Sequence, residues 1–182
     1  FSILSDEVKV YEETEPEQIL ERVQGFDIVV TKEIPVPGDI IRSFPDSVKL
    51  IVEAGTGYNN HDLEAIREKG LTLCNVPAYS TDCVAQFTFA LLLEICCRVG
   101  LHNDSVHKGD WCSNPDFCYW LTPQMEHAGK TIGIIGFGKI GRAVARIAGA
   151  LGMKVLAHSR SESPEGMELA QYVALENLLS EA

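Results

Sequence analysis

The chain of 182 residues lacks several features, and each lack removes a class of function. No apolar run reaches the roughly 20 residues of a membrane-spanning helix. The best candidate, Val84–Leu101, is interrupted by Gln86, Thr88, Glu94 and Arg98, so no membrane partner is expected. Basic residues are in the minority: 15 Lys and Arg stand against 26 Asp and Glu, a net charge of −11. Phosphate backbones select basic surfaces, which makes nucleic acid a poor partner for this chain. The six cysteines (74, 83, 96, 97, 112 and 118) contain no C-x-x-C pair, and the five histidines show no metal-ligand spacing. A zinc site or a secreted disulfide framework needs better spacing than this. Reduced thiols filling the core of a cytoplasmic protein are expected instead. There is no signal-peptide pattern, and the first residue is Phe1 rather than an initiator methionine, so the true N-terminus is expected upstream.

With 46% hydrophobic and 23% charged residues the chain has the makings of folded cores rather than of a disordered segment. The first 75 residues alternate in type. Val8–Tyr11, Phe26–Thr31, Val48–Glu53 and Leu71–Asn75 read as strands. Between them Pro16–Gln24 reads as a helix with Pro in its first turn, and Gly38–Ser43 as a short helix at best. Asn59 or Asn60 is positioned to cap a third helix that ends at Gly70. This rhythm predicts a parallel sheet covered on both faces. The turn-rich segment Val76–Ser80 then marks a boundary. Beyond it a long helix is expected over Thr81–Lys108; its first half is apolar almost all round, which places it buried at the centre of the molecule. Trp111–Trp120 packs four aromatic residues into ten positions without periodicity. Such a cluster fits a buried loop, a subunit contact or the wall of a substrate site.

From Lys130 the pattern becomes specific. Thr131–Ile135 reads as a strand and runs directly into Gly136-Phe137-Gly138-Lys139-Ile140-Gly141; a helix (Arg142–Leu151) and a second strand (Met153–Ala157) follow. G-x-G-x-x-G in this strand–turn–helix–strand context predicts a dinucleotide site. Gly136 permits the sharp turn, Gly138 lets backbone approach a pyrophosphate, and Gly141 lets the helix pack on the sheet. The helix start offers free N–H groups and partial positive charge to the phosphates. Residues 128–160 hold Lys130, Lys139, Arg142, Arg146, Lys154 and Arg160 and no acidic residue, an island that suits an anionic cofactor. At the end of the second strand, where NAD-specific sites carry an acidic residue, the chain reads His158-Ser159-Arg160. A carboxylate about 4 Å from a 2′-phosphate would cost about 4 kcal/mol at an effective dielectric of 20. Ser159 removes that repulsion and Arg160 can fork onto the phosphate, so the reading leans to NADP over NAD.

Three stretches read together (54–70, 75–94 and 129–160) resemble the D-isomer-specific 2-hydroxyacid dehydrogenases, and SNPDFCYW (113–120) resembles the glycerate dehydrogenase (hydroxypyruvate reductase) branch. The resemblance implies an α/β fold of two Rossmann-like or flavodoxin-like parallel-sheet domains with the active site in the cleft between them. Residues 1–80 would be the substrate domain without its first strand, and 81–182 the first part of a truncated NAD(P)-binding domain. It implies that Thr56 and Gly57 receive the substrate carboxylate. Thr56 and Val84 would face the cofactor, Lys139 and Ile140 would meet the pyrophosphate, and the aromatic segment would serve a homodimer. The implied activity is hydride transfer between NAD(P)H and a small 2-oxo acid, with hydroxypyruvate to D-glycerate as the best guess. The arginine, carboxylate and histidine of the family's catalysis match nothing in this chain and are expected beyond residue 182, so the chain is read as a fragment. His61, read as part of the substrate-domain helix, and His158, at the ribose end, are not assigned the catalytic role. The alternative is a non-catalytic NAD(P)-sensing or co-regulatory module on the same scaffold. A flavin or S-adenosyl compound in the glycine turn is a weaker alternative, because the motif follows a complete substrate-like segment.

Overall fold

The computed structural model describes Ser5 and residues 7–182, and the chain divides into two units, Phe1–Tyr79 and Ser80–Ala182. In the first unit, α1 (Pro16–Arg22) opens with Pro in its first turn and a reciprocal capping box between Glu15 and Gln18. β1 (Ile28–Thr31), α2 (Gly38–Arg42), β2 (Leu50–Glu53), α3 (Leu63–Glu68) and β3 (Thr72–Cys74) follow. The strands form one parallel sheet in the order β1-β2-β3, with Val30 level with Val52 and Val52 with Cys74. Ile19, Val23, Val36, Ile41, Phe44, Val48, Ile51 and Ile66 close the core from the helices and the sheet.

Two expectations for this unit are corrected. Val8–Tyr11 is not a strand and pairs with none of β1-β2-β3; Lys9 and Tyr11 line a cavity of about 120 Å³ together with Ile28–Thr31. The Tyr11 ring lies under the Arg22 guanidinium instead, 4.1 Å from its centroid. The cap of α3 is Asp62, whose Oδ1 accepts from the Glu64 and Ala65 amides at 3.0 Å, and neither Asn59 nor Asn60 takes that place. Asn60 is engaged elsewhere, donating to the Ile34 carbonyl at 2.8 Å.

In the second unit the expected long helix is broken. α4 (Thr81–Cys97) and α5 (Val99–His107) meet at 61° across Arg98, whose backbone is left-handed (φ 50°, ψ 46°). Glu94 spans the break: its carbonyl accepts the last helical bond of α4 from the Arg98 amide at 2.8 Å, and its carboxylate accepts from the Gly100 amide at 3.1 Å in the first turn of α5. No single helix among the described residues is long and apolar enough to cross a membrane. α4 is not buried all round. Ala85 and Phe89 are buried against Ala143, Val144 and Ala148, whereas Phe87, Leu91 and Ile95 are exposed. Within this unit the helix meets only one packed surface, so one face alone is covered.

The aromatic segment is not a buried loop either. α6 (Asp110–Ser113) carries Trp111, and Trp111, Phe117 and Trp120 are all exposed, Phe117 by 91%. Polar pins hold the segment: buried Ser105 donates to Asp110 at 2.6 Å and meets the Tyr119 hydroxyl at 3.0 Å. The Leu121 amide donates to His102 Nε2 at 3.1 Å, which leaves the proton of that ring on Nδ1, bonded to the Arg98 carbonyl at 2.8 Å. The cysteines are free, but Cys74, Cys83, Cys112 and Cys118 are exposed rather than core residues.

β4 (Thr131–Ile135), α7 (Lys139–Ala150), β5 (Lys154–His158), α8 (Pro164–Met167), β6 (Gln171–Tyr172) and α9 (Leu175–Glu181) complete the chain. The sheet is parallel in the order β4-β5-β6, one strand more than the sequence suggested, because the two-residue β6 is too short to show a period. α7 begins at Lys139, three residues before the expected start.

Candidate functional site

The glycine turn of the second unit joins the end of β4 to the start of α7. Gly136 has φ +92°, a conformation that L side chains rarely adopt, and its amide donates to the His158 carbonyl at 2.8 Å. Gly138 is the N-cap of α7, and a Cβ built on it meets nothing within 4 Å. Its side faces open space. Gly141 is the opposite case, since a Cβ there would run into the Gly136 carbonyl oxygen and lie 3.3 Å from Ile134 Cγ2. The three glycines thus do three different jobs: turn, open approach and close packing.

Around them, Lys139 and Ile140 are exposed in the first turn of α7, where backbone N–H groups have no intrahelical acceptor. Lys139 forms no hydrogen bond or ion pair among the described residues. Phe137 points the other way: its ring is buried with Ala145 and Ala157 and meets Tyr172 edge-to-face at 5.5 Å, which leaves only its backbone at the turn. The open Gly138, the free amides of a 12-residue helix and an uncommitted lysine form a surface suited to a pyrophosphate.

At the C-terminal end of β5, His158 and the following Ser159 and Arg160 come beside the Gly136 turn. His158 Nδ1 donates to the Val173 carbonyl at 3.1 Å, which ties its ring to the sheet. Ser159 is half-buried and Arg160 exposed, and neither is bonded to another described residue. The basic island is partly neutralised. Glu165 of α8 pairs with Arg146 at 3.0 Å and with Arg142 at 3.6 Å, so the turn's free cations are Lys139 and, at the strand end, Arg160.

In the first unit, Gly55-Thr56-Gly57 leaves the C-terminal end of β2, the edge at which open α/β sheets bind ligands. Thr56 Oγ1 donates to the Val76 carbonyl at 2.9 Å, and Asn75 Nδ2 to the Thr56 carbonyl at 2.8 Å, so the turn is fixed on its outer side. Thr56 and Gly57 are exposed. Val84 lies in the first turn of α4, 41% exposed, with its amide on the Ser80 carbonyl.

Sequence reasoning missed the polar cluster beneath that turn. Glu53 is buried and accepts from Asn60 Nδ2 at 2.9 Å, Thr31 Oγ1 at 3.0 Å, His61 Nε2 at 3.1 Å and the Glu33 amide at 3.2 Å. Burial alone would raise its pKa; the donors from Asn60, Glu33, His61 and Thr31 outweigh it and hold the carboxyl below its ordinary 4.5. His61 is not on the helix. It precedes α3, is buried, and bridges to Val36. The one available signal was a glutamate ending an otherwise apolar strand.

The comparisons with known proteins agree with this architecture. The family model described as D-isomer specific 2-hydroxyacid dehydrogenase, catalytic domain, matches residues 1–180. A hydroxypyruvate reductase of Blautia hydrogenotrophica is 45% identical over 170 residues, covering 93% of this chain and 52% of its own. A glyoxylate reductase of Thermococcus litoralis is 35% identical over 168 residues, covering 90% and 50%. Among solved structures, the TT0316 protein of Thermus thermophilus superposes with a TM-score of 0.79 at 30% identity, over 97% of this chain and 55% of that one. The D-lactate dehydrogenase of Aquifex aeolicus, complexed with NAD and lactic acid, does so with a TM-score of 0.72 at 28% identity, over 89% and 47%. The chain spans about half the length of the curated relatives it matches. It belongs to the D-isomer-specific 2-hydroxyacid dehydrogenase family.

Proposed function

We propose that the full-length protein is an NAD(P)H-dependent reductase of small 2-oxo acids, with hydroxypyruvate to D-glycerate as its reaction. The observation that carries this reading is the open approach over Gly138 at the start of α7, in a chain of this family. The bound dinucleotide supplies the hydride. The chain's own residues bind and orient: residues 1–80 act as the substrate domain and 81–182 as the nucleotide domain. The Thr56 and Gly57 backbone takes the acid's carboxylate in a nest of N–H groups. Thr56 and Val84 face the cofactor. Gly136, the Phe137 backbone, Gly138, Lys139, Ile140 and Gly141 hold the pyrophosphate, while Ser159 and Arg160 select the ribose, leaning to NADP. No residue of this chain takes the role of catalytic acid. An arginine, a carboxylate and a histidine outside it perform that work, and the exposed aromatic segment joins two copies in a homodimer. Hydroxypyruvate is favoured over glyoxylate by the higher identity to the hydroxypyruvate reductase, 45% against 35%.

Steady-state turnover by the full-length protein tests this reading. NADPH oxidation with hydroxypyruvate should show a higher kcat/KM than with glyoxylate. Turnover with neither acid by a folded, cofactor-bound protein would contradict the assignment.

A further inference from the structure

Glu53 gathers four donors from two stretches of chain, 31–33 and 60–61, at the C-terminal edge of the first sheet. Thr31 ends β1, Glu33 lies in the turn after it, and Asn60 and His61 precede α3; all donate to the one carboxylate, which itself ends β2. Glu53 is 1% exposed, and no water-facing role is open to it. Two further observations tie it to the turn above. A Cβ on Gly55 would lie 3.1 Å from Glu53 Oε1, so the first residue of the turn rests directly on the carboxylate. Glu33 sits at φ +60°, an unfavourable conformation for its side chain, and its amide bond to Oε1 at 3.2 Å holds it there. A sheet needs none of this for its pairing, because Glu53 already aligns with Thr31 through the backbone register.

We propose that Glu53 is the positioning residue of the Gly55-Thr56-Gly57 turn, its buried carboxylate fixing the path along which the backbone N–H groups receive a carboxylate ligand. This rests on the reading above that the turn takes the acid group of the substrate. Glu53 touches neither substrate nor cofactor; it acts through the turn. Glu53→Gln keeps the shape but loses the charge that gathers the four donors. Thr31→Val removes one donor without changing volume.

The test uses the full-length protein and both variants. Two readouts are taken: steady-state kinetics with hydroxypyruvate, and amide exchange at Ala54 and Val76, whose bonds to the Thr31 and Gly55 carbonyls (2.7 and 3.0 Å) bracket the turn. For Glu53→Gln the proposal expects KM to rise at least about tenfold with kcat and NADPH affinity held within about twofold, and faster exchange at those two amides. Thr31→Val should move both readouts the same way by less, and it carries the test if Glu53→Gln does not fold. An unchanged KM in a folded variant with unchanged exchange overturns the proposal, and so does a loss spread equally over KM, kcat and cofactor affinity. If the wild-type protein turns over no 2-oxo acid, the functional reading falls and exchange decides alone: faster exchange confined to the turn supports the positioning role, unchanged exchange overturns it.

Discussion

Gly138 and Gly141, three residues apart in one motif, should respond differently to the same substitution. Gly141→Ala drives a methyl group into the Gly136 carbonyl and should destabilise the second unit by about 1–3 kcal/mol in a denaturant titration. Gly138→Ala meets open space and should cost only the poorer N-cap, up to about 1 kcal/mol, while obstructing the cofactor. At the ribose end, Ser159→Asp restores the carboxylate that repels a 2′-phosphate. The ratio of NADPH to NADH affinity should fall at least about tenfold, and an unchanged ratio would place the 2′ position elsewhere. Glu53 gives a pH dependence. Its folded pKa lies below its ordinary 4.5, so its stabilisation is present above that value and is lost as pH falls through the lowered one. Urea midpoints measured from neutral pH downward should therefore drop more steeply for wild type than for Glu53→Gln. At this scale the glycine motif was legible because its meaning lies in six consecutive positions. The Glu53 cluster was not: Thr31 and Glu53 lie 22 residues apart, and only the pairing of β1 with β2 brings them together.

Elements were legible where a local pattern decides them and illegible where a single side chain does. Short apolar runs gave β1 to β5 but not the two-residue β6, and Pro16 gave the start of α1. The cap of α3 was misplaced by two or three residues because Asn59, Asn60 and Asp62 are all competent caps, and the choice depends on which of them the tertiary structure uses elsewhere. Asn60 goes to Glu53 and Ile34, which leaves Asp62. Asp62→Ala should accordingly cost about 1 kcal/mol of stability in the same denaturant titration, and Asn59→Ala close to none. The break at Arg98 had no proline to announce it, and Gly100, inside the expected helix, was its one local signal. At the break the Glu94 carboxylate accepts from the Gly100 amide in the first turn of α5, a pairing between side chain and backbone that periodicity does not show. Val8–Tyr11 has the pattern of a strand but joins no ladder of the β1-β2-β3 sheet, and pattern alone does not supply a pairing partner.

At the scale of the whole molecule, the two parallel sheets and their family were legible from the order of motifs, whereas the burial of α4 was not. Apolar composition foretells that a face will be covered, and Phe87, Leu91 and Ile95 are uncovered by anything else in their own unit. The 182-residue chain, expressed by itself, should therefore associate with rising concentration in sedimentation velocity, and Leu91→Glu should shift it towards the monomer. Whether the turn from Gly136 to Gly141 holds a dinucleotide is decided by calorimetric titration of the full-length protein with NADPH. Wild type should bind, and a folded Gly138→Ala should bind at least about tenfold more weakly because a methyl group then occupies the space the pyrophosphate needs. Equal affinity in the two proteins would contradict the account.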